Sequence, residues 1–207
     1  MAYPTDEQWD ILENPTYLET YLLVGAGTNY ASAIAKKLRK KQPTVTEQLK
    51  ALQKAKLVRP LERAKSQRFS VDWGPIIASF YMIVNDVLTH RDRADGGKLL
   101  SRVKEAKVES LLPEEFLRRF LVEYISVYLN VGGKRKGIQE LIFSFFRGIG
   151  DINRKEWNDL VRMFHLDGKL LGEVAFAAAI EVSIIEQTAL STLAILNRDE
   201  GKTEGQG

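Results

Sequence analysis

Twelve of the chain's thirty Lys and Arg residues fall between Lys36 and Arg68: Lys36, Lys37, Arg39, Lys40, Lys41, Lys50, Lys54, Lys56, Arg59, Arg63, Lys65 and Arg68. Only Glu47 and Glu62 oppose them, so the segment carries +10 and the remainder −7 in a chain of formal charge +3. A dense run of fixed cations neutralises phosphates and releases the counterions condensed on a polyanion. The plainer use of the same residues is a solvated face, and the spacing separates the two. Val45, Leu49 and Leu52 recur at i, i+4 and i+7, the stripe a helix buries. At about 100° per residue the far side then carries Pro43, Glu47, Lys50 and Lys54, flanked by Thr44 and Ala51. A hydroxyl near a helix start can bond a base or phosphate, and a carboxylate can accept from cytosine N4. Thr44 and Glu47 are therefore candidate base readers, with Lys50 and Lys54 as phosphate contacts. No aromatic residue lies between Lys36 and Arg68. Single-strand recognition leans on aromatic platforms, so double-stranded DNA is the expected partner rather than RNA.

Other side chains offer weaker chemistry. The absence of cysteine excludes a disulfide framework, a thiolate metal site and a Cys nucleophile. His90 and His165 each precede an Asp by two residues (Asp92 and Asp167), but no further ligand has fitting spacing, and both read as surface residues. Glu173, Glu181 and Glu186 read as solvent-facing or paired with arginines such as Arg118, Arg119 or Arg162. Phe143, Phe145, Phe146 and Trp157 read as core, and Lys134-Arg135-Lys136 as a solvated loop. No nucleophile–base pair, phosphate loop or carboxylate dyad stands out. The expectation is a protein that is not an enzyme and has neither metal nor cofactor.

The elements that must position the cations follow from punctuation. Asn14-Pro15 caps and opens a helix that Gly25-Ala26-Gly27 stops. Thr28 or Asn29 caps a second, burying Ala31, Ile34, Ala35 and Leu38; the third starts at Pro43-Thr44. Leu57–Leu61 and Arg68–Asp72 read as two short strands around Glu62–Gln67, with Pro60 confining its strand to an edge.

Three helices followed by a hairpin is the order of a winged helix-turn-helix. The run Val45-Thr46-Glu47-Gln48-Leu49-Lys50-Ala51-Leu52-Gln53-Lys54-Ala55-Lys56-Leu57-Val58 resembles the recognition helix and wing entry of ArsR/MarR-type regulators. Tyr30–Leu38 is similar to their supporting helix. The resemblance covers about a third of the chain, residues 14–73. Thr46 and Gln48 stand where those families commonly carry Ser and His, and Lys56 where Gly is usual, which implies a left-handed turn at Lys56. The resemblance implies a sequence-specific transcriptional regulator contacting duplex DNA through Lys36, Lys37, Arg39, Lys40, Lys41, Thr44, Thr46, Glu47, Gln48, Lys50 and Lys54. Arg63, Lys65 and Arg68 extend that surface onto the wing.

The remainder reads as all helical, giving a mainly α chain: an N-terminal extension (1–13), the winged helix (14–73), a connecting helix and hinge (74–97), a helical dimerisation or effector domain (98–198) and a disordered tail (199–207). The hinge is His90–Gly97, and helices are expected from Pro113, over Ile138–Arg147, from Asn153 and over Lys169–Asn197. Ile76–Val87 carries more large apolar residues than a sixty-residue domain can bury, which makes it a dimerisation candidate. The last helix is either domain core or a second pairing surface. Its glutamates interrupt any membrane-length apolar run, and the polar, acidic Met1–Glu7 lacks the features of a signal peptide. A cytoplasmic homodimer results, with no membrane association and with the C-terminal domain open to a small-molecule or protein effector. A second reading fits the same residues: a winged-helix component of a replication, chromosome-organisation or transcription-machinery complex. Its DNA contact would be non-specific, and its helical domain would dock a protein.

Overall fold

Thr5 opens the chain's first helix with a reciprocal cap. Its hydroxyl accepts from the Gln8 N–H at 3.3 Å, while the Gln8 side chain accepts from the Thr5 N–H at 3.1 Å. This helix, α1 (Asp6–Glu13), lies within the expected extension. In the computed structural model, residues 3–61, 67–95, 98–131, 137–181, 184 and 187 are described. The chain is mainly helical, with one two-stranded antiparallel sheet.

Asn14 caps α2 (Pro15–Gly25) by accepting from the Thr16 N–H, and Pro15 occupies its first turn. The helix gives way at Ala26 and Gly27, the latter at φ +86°. The start of α3 (Ala31–Leu38) differs from expectation. Its N-cap is Tyr30, without a side-chain cap, because Thr28 is buried and accepts the Lys37 ammonium at 2.8 Å. Arg39 (φ +53°) turns the chain into α4 (Gln42–Lys54).

Strands β1 (Val58–Leu61) and β2 (Arg68–Val71) pair in the register Val58↔Val71 to Leu61↔Arg68. Pro60 is tolerated because its partner Phe69 points its N–H away, to Asn29 O at 2.9 Å. Lys56 adopts the left-handed turn, φ +60°.

Helix α5 (Gly74–Asp95) runs through most of the expected hinge, since His90–Asp95 is helical. It is followed by α6 (Lys98–Ala106), α7 (Val108–Leu111), α8 (Glu114–Val131), α9 (Ile138–Asp151), α10 (Arg154–Met163) and α11, residues 168–181. Asn153 caps α10, accepting from the Lys155 and Glu156 N–H groups. Helix α9 passes four residues beyond Arg147, across Gly148 and Gly150, to Asp151.

One continuous buried cluster runs from Leu12 through α2, α4, α5, α8 and α9 to Ala178. The apolar side of α5 lies inside it: Ile76, Ile77, Phe80 and Val84 are buried against the same chain, with α6, α7 and α9 packing on this helix. The apolar excess read as a pairing surface is thus covered internally. Phe80, Phe120 and Phe116 meet Phe145 edge-on at 5.3, 4.5 and 5.9 Å, so Phe145 and Phe146 are core. Two tyrosine hydroxyls tie the layers, Tyr21 to Asp72 O (2.7 Å) and Tyr81 to Leu112 O (2.9 Å). Helix α1 joins the two ends of the cluster: the Glu13 carboxylate accepts from the Gln139 N–H at 2.9 Å and so caps α9. The approach is close enough that a Cβ on Gly137 would stand 2.4 Å from Glu13 O.

Candidate nucleic-acid interface

Helix α4 turns Val45, Leu49 and Leu52 into the core and leaves Pro43, Thr44, Glu47, Lys50 and Lys54 exposed. Gln48 departs from the expected site. It is 5% exposed, and its side-chain oxygen accepts from the buried Thr20 hydroxyl at 2.7 Å. The helical angle accounts for this: position 48 lies about 60° from position 45, within the inward arc. A buried amide aimed at α2 is a packing group, and Gln48 drops out of the contact set. Thr46 is half-buried, and its hydroxyl donates back along the helix to Gln42 O at 3.0 Å.

The cations divide into two groups. Some are engaged by the chain itself. Lys40 lies 3.4 Å from the buried Glu19 carboxylate, and Lys37 donates to Thr28. Lys50 pairs with Glu47 at 2.8 Å across one helical turn, and Lys54 stands 3.8 Å from Glu7 of α1. The pairs of Lys50 and Lys54 are well exposed and therefore weak. By contrast, Lys36, Arg39, Lys41 and Arg68 are exposed and form no ion pair among the described residues. Three of these four flank the α3–α4 turn. Lys56 and Arg59 are exposed near the start of the hairpin, past the far end of α4, and the expected contact set includes neither. Arg63 and Lys65 lie outside the described residues, as do Lys134, Arg135 and Lys136.

A shallow open depression of about 640 Å³ is lined by Tyr30, Ser32, Ala33, Lys36 and Lys37. Tyr30 is part-exposed there, an aromatic ring just outside the segment that lacks one.

Away from this surface, the secondary candidates resolve differently. Glu173 pairs with Arg102, while Arg118 pairs with Glu114 and Arg119 with Glu123 along α8. His90 and His165 are exposed. Among the described residues no three His, Asp or Glu side chains cluster as a metal site, and no helix is long and apolar enough to cross a membrane. The side chains of Asp92, Tyr124, Ile125 and Tyr128 lie outside the described residues. So do Ile185, Glu186, Leu190, Leu193 and Leu196 of the expected last helix, and the tail 199–207. Compared with protein-family models, curated proteins and solved structures, the chain has no significant match in any of the three.

Proposed function

We propose that residues 14–73 act as a winged helix-turn-helix and that the protein binds double-stranded DNA as a sequence-specific transcriptional regulator. The observation that carries this reading is the group of exposed cations Lys36, Arg39 and Lys41, without an ion pair among the described residues, at the foot of an outward α4 face without large apolar residues. In this arrangement Lys36, Arg39, Lys41 and Arg68 hold phosphates on either side of α4, fixing the register. Thr44 and Glu47 then meet base edges, and Lys50 exchanges its carboxylate partner for a phosphate. Two copies pair to read two half-sites about one DNA turn apart. With α5 buried in the chain's own core, α11 supplies the pairing surface, since Phe176 is 66% exposed.

A second reading has one observation in its favour. The Glu47–Lys50 pair satisfies the carboxylate that would otherwise read a base, as suits a machinery component that coats DNA without preference. Selection of bound duplexes from a random pool separates the two. A recovered palindrome, shifted by Thr44→Ala or Glu47→Ala and uniformly weakened by Lys50→Ala, supports the regulator. Recovery of unselected sequence removes it in favour of the second reading.

A further inference from the structure

Helix α1 contains Asp6, Glu7, Asp10 and Glu13 and no basic residue. It is also fixed in place at both ends. Near its start, the Gln8 side-chain amide donates to Ala55 O at 2.9 Å, just past the end of α4. At its end, Glu13 caps α9. Glu7 and Asp10 are therefore held beside the C-terminal half of α4. Glu7 faces Lys54 at 3.8 Å, and Glu7, Asp10, Ala51 and Lys54 share an open concavity of about 520 Å³. Carboxylates this close to a phosphate track act well within the Debye length of about 8 Å at physiological salt.

The charge along α4 is consequently uneven. Arg39 and Lys41, without an ion pair among the described residues, precede its start, and Glu7 of α1 answers Lys54 at its end. We infer that α1 is a built-in electrostatic guard that repels a duplex from the C-terminal half of α4 and confines it to the N-terminal half and the α3–α4 turn. The guard lowers sequence-independent attraction while leaving Thr44 and Glu47 in reach, so it raises the contrast between right and wrong sequences. This inference rests on the duplex-binding reading above.

The test combines Glu7→Gln and Asp10→Asn, both exposed and of unchanged size, in the full chain, with and without Lys54→Ala. Affinity for a random-sequence duplex is measured across a salt titration. In the unmodified chain, Lys54→Ala changes affinity less than about twofold, because the acids of α1 keep the duplex away from the C-terminal half of α4. In the neutralised chain, affinity rises about fivefold and the salt slope steepens by about one, as Lys54 joins the contact set. Adding Lys54→Ala there reverses both changes. If the neutralised chain binds like the unmodified one at every salt concentration, the guard is wrong and the duplex reading stands. If neither form binds any duplex in a salt-dependent way, the duplex reading fails and takes the guard with it.

Discussion

Helices α4 and α5 are built by the same rule, an apolar stripe at helical spacing, and end in opposite circumstances. In α4 the stripe Val45, Leu49 and Leu52 is buried and the opposite side stays open. In α5, Ile76, Ile77, Phe80, Ile83, Val84, Val87 and Leu88 are all buried, and α6, α7 and α9 pack on this helix. The difference lies in what each outer face offers a neighbour. Large apolar residues draw cover from elsewhere in the chain, whereas ammonium, carboxylate and hydroxyl groups are costly to desolvate and stay in water. One helix becomes a spine and the other a surface.

The sharpest way to break this contrast is to exchange the effects of substitution. Phe80→Ala should cost about 4 kcal/mol by leaving a cavity among Phe120 and Phe145. Lys50→Ala on α4 should stay within about 0.5 kcal/mol of the unmodified chain. Urea denaturation compares them, and equal costs would erase the distinction between spine and surface. The cations divide in the same manner. Lys40→Ala removes the ammonium 3.4 Å from the buried Glu19 carboxylate and should cost about 2 kcal/mol, whereas Lys41→Ala should leave the melting temperature unchanged and weaken duplex binding.

Smaller effects test the inner tie. Tyr81→Phe removes the hydrogen bond to Leu112 O, a loss of about 1 kcal/mol at neutral pH. Burial, with Glu109 and Glu114 nearby, pushes the Tyr81 phenol up to about 12. Its unfolded counterpart ionises near 10, so the tyrosine's contribution is fully present below about pH 10 and lost as pH rises toward 12. Alkaline unfolding of Tyr81→Phe should therefore show a shallower fall over that window. The smallest effect changes sign. Arg39 holds φ +53°, so Arg39→Gly should gain up to about 1 kcal/mol while weakening duplex binding. A gain in both stability and affinity would show that the side chain has no place on the surface.

How far the sequence carried these conclusions depended on whether the decisive partner was local. The Asn14-Pro15 start, the Asn153 cap and the hairpin are settled within a few residues, and each is where local chemistry puts it, while the left-handed Lys56 follows the family resemblance. The Thr5-to-Gln8 capping box is equally local, and it makes a helix of most of the expected extension 1–13. Gln48 was legible too: its helical angle pointed inward while the family pattern pointed outward, and burial against Thr20 follows the angle. Long-range partners were not legible. Glu19 for Lys40, Thr28 for Lys37, Arg102 for Glu173 and Glu13 for α9 are set by how distant helices dock. The His90–Asp95 stretch, charged and without a breaker before Gly96, simply continues α5.

The central claim concerns the open turn before α4. Replacing Lys36, Arg39 and Lys41 together by Ala and following duplex affinity against salt addresses it directly. Three lost phosphate contacts should flatten the log–log salt slope by about 2.7 with little change in folding stability. An unaltered slope, with affinity retained, would contradict the account.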